Sequence, residues 1–313
     1  MKISLLEPLN VSETLIQHLA QPLIDRGHTF EYYDQKTTDA EELYHRSKDS
    51  DILIIAHNPL PKSVIQRLDN VQLINIAFTG TDHVDQATCD AQGITIMNAA
   101  GYAVTAVSEL AVGMALSLLR NIPKGDRDIR QGKDFPGKFQ GSQLKDKVVG
   151  IVGTGEIGIE TARLFKAFDC QLIGYNRSEK QEALDLGLVY HRLEEVMALS
   201  DVISVHLPLN EETQHLISED MIALMKPQAI LLNLARGPVI DNHALAEALR
   251  LQLIGGAGLD VFDVEPPLED QHELFETPNT ILTPHIGYLT NEAMEARAKI
   301  VFDNIDKFLS NHA

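Results

Sequence analysis

The sequence predicts two doubly wound α/β domains, each a parallel sheet with helices on both faces. Three features of the chain point there. Short apolar, β-branched runs alternate with amphipathic segments; one run leads at once into Gly153-Thr154-Gly155-Glu156-Ile157-Gly158; and the small-residue stretch Asn98-Ala99-Ala100-Gly101-Tyr102 separates two regions that each show the strand–helix rhythm. Parallel strands need a crossover between them, usually a helix, and strands covered on both faces read as continuous apolar runs rather than alternating ones.

In chain order, residues 3–6, 29–33, 51–56, 71–78 and 94–97 read as strands, with an amphipathic helix over 11–26. The fourth strand ends in Ala77-Phe78-Thr79-Gly80-Thr81-Asp82, a polar turn at the edge where open α/β sheets take ligands, and the N–H groups of Thr79 and Gly80 could hold a carboxylate there. The stretch 98–102 reads as a hinge, because small residues absorb backbone rotation cheaply. Residues 104–119 form a helix too apolar for one buried face, expected to lie between domains or at a subunit interface. Residues 121–141, polar and interrupted by Gly125, Gly132, Pro136, Gly137 and Gly141, read as an arm or long connection. A second set of strands follows at 148–152, 171–175, 202–207, 230–234, 257–261 and 281–283, with helices over 193–199, 218–225 and 242–251. A last amphipathic helix, 291–309, is expected to cross back onto the first domain, which would make that domain discontinuous: 1–98 plus 288–313, with 99–287 as the second.

The strand Val148, Val149, Ile151, Val152 followed by three glycines and an amphipathic helix is the context that gives GxGxxG its meaning. The glycines permit a sharp turn and a close approach of backbone to a pyrophosphate held at the helix N-terminus, so Gly153, Gly155, Glu156, Ile157 and Gly158 are expected at a dinucleotide. Where NAD sites usually place an acidic residue, at the end of the next strand, this chain has Asn176-Arg177-Ser178, with Lys180 two residues on. Asn176 does not repel a 2′-phosphate and Arg177 offers a planar fork that pairs with one, so NADP(H) is expected over NAD(H).

Composition narrows the function classes. A chain of 313 residues, 44% hydrophobic, can bury the cores of two domains. Its 26 basic and 45 acidic residues give a net charge of −19, which argues against nucleic acid and anionic membranes as partners. Two cysteines, Cys89 and Cys170, in segments that read as core suggest a reducing compartment rather than a disulfide framework. The amino terminus reads as a first strand without a signal-peptide apolar region, so a cytoplasmic location is expected, and no metal site is indicated.

Three polar residues stand at the ends of successive strands of the second sheet: Arg236 in Asn233-Leu234-Ala235-Arg236-Gly237, Glu265 in the run from Gly258 to Pro266, and His285 in Pro284-His285-Ile286-Gly287. Each alone has a bland reading, as a surface ion pair, a solvated loop residue or a turn filler. Together with the fingerprint they supply the parts of a keto-acid reductase.

At this point the chain resembles the D-isomer-specific 2-hydroxyacid dehydrogenase family, of the glyoxylate/hydroxypyruvate reductase kind, over nearly its whole length. The resemblance rests on Gly80-Thr81-Asp82-His83-Val84-Asp85, 93–98, the glycine fingerprint, His206-Leu207-Pro208 with Thr213, 233–237, 258–266 and Pro284-His285-Ile286-Gly287. It implies a Rossmann dinucleotide-binding domain and a discontinuous flavodoxin-like substrate domain, with the site in the cleft between them, and a homodimer built around the 104–119 helix. By the same resemblance Arg236 would grip the substrate carboxylate and keto oxygen, His285 would be the acid/base and Glu265 its partner. Thr79 and Gly80 would bind the carboxylate, and His206, Pro208, Thr213, Ala235, Asp260, His285 and Gly287 would lie along the cofactor.

The chemistry agrees with these roles. Hydride addition to a 2-keto acid needs a proton for the oxygen, which a histidine gives near neutral pH, while an arginine stabilises the developing alkoxide. The chain departs from the family at Asn176, at Phe78 where a small residue is usual, and at Ala100 where proline is common. It ends soon after its last helix, without the length for a phosphoglycerate dehydrogenase regulatory domain, so a small unphosphorylated 2-keto acid is the expected substrate. The rival reading is a corepressor-like binding protein that senses nicotinamide nucleotide without turnover.

Overall fold

The computed structural model describes every residue except Asp82, 134–139, Glu265 and 312–313. The chain forms two compact units, Met1–Ala103 with Leu289–Ala313, and Val104–Tyr288.

The first unit is a parallel sheet of five strands: β1 (Lys2–Leu5), β2 (Thr29–Tyr32), β3 (Ile52–Ile55), β4 (Leu73–Ile76) and β5 (Thr95–Asn98), in spatial order β2-β1-β3-β4-β5. β3 and β4 are buried at every position, as central strands covered on both faces must be. The terminal helix Asn291–Asn311 packs on β4 and β5 and on helix Glu13–Asp25. Its seat is specified by buried polar groups. Asn75, fully buried in β4, donates from Nδ2 to the Val301 carbonyl at 2.8 Å, and Asn304 Nδ2 donates to Asn98 O at 2.8 Å. An amide left without these partners inside the core costs about 1–3 kcal/mol, so the helix docks in one register.

The second unit is a parallel sheet of seven strands: β6 (Val148–Val152), β7 (Gln171–Tyr175), β8 (Val189–Tyr190), β9 (Val202–Val205), β10 (Ile230–Asn233), β11 (Gly256–Leu259) and β12 (Thr280–Leu282), in order β12-β11-β10-β9-β6-β7-β8. The order reverses at β6, between β7 and β9, and such a switch point is where open α/β sheets bind ligands.

Helix Val104–Leu119 packs against helix Glu156–Lys166 and strands β10 and β11, and Ala106, Val107, Ala111, Val112, Met114, Ala115, Leu118 and Leu119 are buried. Ser108 Oγ donates to Ile157 O at 3.2 Å and receives Thr161 Oγ1 at 3.0 Å, joining the two helices. Part of the expected arm is helical as well, over Ile122–Arg130, with no buried residue. Only Ile122 and Ile129 are apolar among polar residues, Pro123 and Gly125, and both are exposed, which is why it read as a connection. Pro136 and Gly137 of that arm lie outside the described residues.

Candidate active site

β6 runs into Gly153, whose φ of +99° turns the chain sharply, and Gly155 caps helix Glu156–Lys166. The three glycines serve different needs. A Cβ at Gly153 would stand 2.7 Å from the His206 carbonyl oxygen, and one at Gly158 would overlap the Gly153 carbonyl, so both are required by backbone packing. A Cβ at Gly155 would meet nothing within 4 Å. The protein itself gives no packing reason for glycine there, and an approaching pyrophosphate does. The N–H groups of the first helical turn, at Glu156 and Ile157, have no acceptor within the helix and complete an anion cradle. The donor set and this open space fit a dinucleotide.

The loop after β7 is fastened to the glycine turn. Thr154 N donates to Asn176 Oδ1 at 3.3 Å, and Asn176 Nδ2 donates to Ser178 O at 2.7 Å. Asn176 is thus engaged by its own chain, while the Arg177 side chain, 89% exposed, makes a surface ion pair with Glu212 at 3.6 Å. Beyond β9, His206 Nε2 is 2.8 Å from Ser204 Oγ, and burial pulls its imidazole down to about 4, so the ring is neutral at physiological pH. Thr213 Oγ1 donates to Pro208 O at 2.6 Å, closing the turn that carries both.

The next three strands each end in a polar residue. After β10, Asn233, buried, accepts from Ala235 N at 3.1 Å and donates to Arg236 O at 3.0 Å, while Arg236 Nη1 donates to Ala235 O at 2.8 Å. After β11 comes Asp260, 1% exposed. Its Oδ1 accepts Thr283 Oγ1 at 2.5 Å and Ile286 N at 2.9 Å, and its Oδ2 accepts Gly287 N at 2.7 Å. After β12, His285 N donates to the Asp260 carbonyl at 2.9 Å. His285 sits at φ +54°, a left-handed conformation that costs a non-glycine residue about 1–3 kcal/mol unless its surroundings impose it. Asp260 imposes it, gathering residues on both sides of the histidine. Burial raises the Asp260 carboxyl above its usual range, against the pull of the Thr283, Ile286 and Gly287 donors and of His285. A Cβ on Gly287 would stand 2.8 Å from Asp260 Oδ2, so only glycine brings its N–H this close. Arg236 and His285 therefore end strands that flank β11, on one edge of the sheet. Glu265, the expected third member, lies outside the described residues.

In the first unit, Thr79 is exposed and Gly80 partly so, just past β4 at its carboxyl end, with Thr79 O accepting Asn98 Nδ2 at 2.7 Å. Phe78 is buried beside them, its ring 5.5 Å from that of His57 and 6.1 Å from that of Tyr102.

Four partners of these residues are not singled out by the sequence motifs: Ser204 and Asn233, buried, and Tyr190 and Thr283, half-buried. Asn233 was quoted only as part of a motif, although a lone Asn inside the apolar strand Ile230–Asn233 is a signal that a buried amide is holding a turn.

A parallel sheet with a glycine cradle at its switch point, and an arginine and a histidine along the same carboxyl edge, defines a dinucleotide-binding oxidoreductase domain. The family model described as D-isomer specific 2-hydroxyacid dehydrogenase, NAD binding domain, matches residues 112–287. The glyoxylate reductase of Pyrococcus furiosus is 36% identical over 284 residues, 88% of this chain and 84% of that one. Among solved structures, an acyclic imino acid reductase in complex with NADPH and D-Arg superposes with a TM-score of 0.88 at 28% identity, covering 99% of this chain and 98% of the other. The D-lactate dehydrogenase of Aquifex aeolicus, complexed with NAD and lactic acid, superposes with a TM-score of 0.84 at 26% identity over 99% and 96% of the two chains. The chain belongs to the D-isomer specific 2-hydroxyacid dehydrogenase family and is a nicotinamide-dependent oxidoreductase of 2-hydroxy acids.

Proposed function

We propose that this protein reduces a small unphosphorylated 2-keto acid, glyoxylate or hydroxypyruvate, to the 2-hydroxy acid, with NADPH preferred to NADH, as a cytoplasmic homodimer. The observation that carries the reading is the Asp260 cluster, which holds His285 in a left-handed turn on the sheet edge that also bears Arg236 and the glycine cradle. The glyoxylate reductase relationship supports the substrate class, and Asn176-Arg177-Ser178 in place of an acidic residue supports the 2′-phosphate.

The reduced nicotinamide, when bound, supplies a hydride to the keto carbon. The rest is the work of side chains. His285 as imidazolium gives its proton to the keto oxygen as the C–O double bond becomes a hydroxyl, and in the reverse direction the neutral ring removes it. Arg236 pairs with the carboxylate and offsets charge developing on that oxygen. Glu265 is assigned the carboxylate partner of His285, and the amides of Thr79 and Gly80 the other contacts to the substrate carboxylate. Neutral His206 brings no charge of its own to the turn beside Gly153.

The test is NADPH and NADH oxidation over a panel of 2-keto acids. Turnover is expected with glyoxylate or hydroxypyruvate and a higher kcat/KM for NADPH, and His285→Ala should lower kcat about 10²–10⁴-fold. Nucleotide binding without turnover of any keto acid would refute the assignment, and a higher kcat/KM for NADH would refute the cofactor preference.

A further inference from the structure

The loop expected to meet the 2′-phosphate is exposed at every position from Arg177 to Lys180, yet its backbone is held from beneath by one phenol. Tyr190 is the second residue of the two-residue edge strand β8 and is paired with Gly174 of β7. Its hydroxyl lies 2.7 Å from Thr154 Oγ1 and accepts the Lys180 N–H at 3.0 Å. Thr154 is fully buried in the glycine turn, and its own N–H goes to Asn176 Oδ1 at 3.3 Å. Asn176 in turn donates to Ser178 O. The glycine turn, the start of the loop at Asn176 and its end at Lys180 are therefore one hydrogen-bonded body, and the Tyr190 hydroxyl is the joint between its two ends.

A phenol suits this position. It accepts from the Lys180 amide with one lone pair and shares its proton with, or takes one from, the threonine hydroxyl. Long cationic side chains lose conformational freedom when they converge on one anion, and a backbone fixed beforehand reduces that cost. We propose that Tyr190 is a positioning residue for cofactor selection: its hydroxyl, through Thr154 and Lys180, sets the 176–180 backbone so that Arg177, Ser178 and Lys180 present to the group on the adenosine 2′-oxygen. The inference rests on the NADPH preference proposed above. Tyr190 need not touch the nucleotide for this; it acts through the loop.

The experiment is calorimetric titration of the whole protein with adenosine 2′,5′-bisphosphate and with 5′-AMP, for wild type and Tyr190→Phe, alongside steady-state kinetics with NADPH. In wild type the bisphosphate is expected to bind more tightly than 5′-AMP. Tyr190→Phe keeps the ring and removes only the joint. It should weaken the bisphosphate about three- to tenfold, the scale of one net hydrogen bond, leave 5′-AMP binding unchanged, and raise KM for NADPH at unchanged kcat. Thr154→Val, which removes the other hydroxyl of the same contact, should weaken the bisphosphate to a similar degree. Equal weakening of both ligands by Tyr190→Phe, or weakening of neither, overturns the positioning role. A wild-type protein that binds the two ligands equally overturns the 2′-phosphate reading itself, and that result is seen before any variant is made.

Discussion

Replacing Asp260 by Asn changes one atom and reverses the hydrogen-bonding sense of one edge of the carboxylate. If the amide oxygen keeps the Oδ1 position, Thr283 Oγ1 and Ile286 N retain an acceptor at 2.5 and 2.9 Å, and the new NH2 faces the Gly287 N–H, 2.7 Å away in the wild type. Two donors then oppose each other in a buried site. Loss of a hydrogen bond to a charged group costs about 1.5–3 kcal/mol, and a buried N–H without an acceptor about 1–3 kcal/mol. Relief from holding a charge where burial disfavours it returns part of this. A net loosening of the His285 turn of about 2 kcal/mol remains, and at 1.36 kcal/mol per decade it lowers kcat about 30-fold. The measurement is kcat at saturating reduced nucleotide and keto acid, with Tm recorded on the same samples to show that the variant is folded. A folded Asp260→Asn enzyme with kcat within threefold of wild type would refute the claim that this carboxylate holds the catalytic turn.

Other perturbations separate effects that the structure keeps distinct. Gly155→Ala should fold with a stability within about 0.5 kcal/mol of wild type, because its Cβ meets no protein atom, yet lose most nucleotide affinity; Gly158→Ala should fail to fold or melt far lower, because its Cβ overlaps the Gly153 carbonyl. Differential scanning calorimetry with and without nucleotide reads both. Burial lowers His206 to about 4, so between pH 6.5 and 4 the unfolded chain binds a proton that the folded one refuses, and stability falls as the solution is acidified through that window. Its share, discounted for the ring's partial solvent contact, is about 1–2 kcal/mol, and urea unfolding of wild type and His206→Asn at pH 7 and pH 4.5 should differ by that amount. Arg236→Lys should lower kcat/KM about 10²-fold or more, since lysine cannot span a carboxylate and an alkoxide with one fork; a loss under threefold would remove arginine from the assigned role.

The framework was legible in the chain where local composition settles it. The run from Val148 to Val152, the glycine spacing and the helix after it depend on residues close in sequence, and the buried strands β3 and β4 are apolar because both faces are covered. Helix Ala40–Ser47, which buries only Leu43 and Ser47, has too few apolar residues to be read. β8 is two residues long and is a strand only through its pairing with β7. At the site, Arg236 and His285 stood out as polar residues after apolar runs, but the Asp260 cluster could not be read, because its donors come from 23 to 27 positions downstream and meet it only when β12 lies beside β11. Tyr190 could not be singled out for the same reason, its partners Thr154 and Lys180 lying 36 and 10 residues away.

The docking of helix Asn291–Asn311 on β4 has a consequence for synthesis on the ribosome. Asn75 is translated early, but the carbonyl of Val301 and the amide of Asn304 that satisfy it are translated more than 200 residues later. The five-stranded unit is thus incomplete until that helix has been made, whereas the seven-stranded unit, contiguous from Val104 to Tyr288, has all its strands before the helix exists. The nascent polypeptide should acquire protease resistance out of numerical order, the later-encoded unit first, and the amino-terminal one only once helix Asn291–Asn311 has emerged from the ribosome.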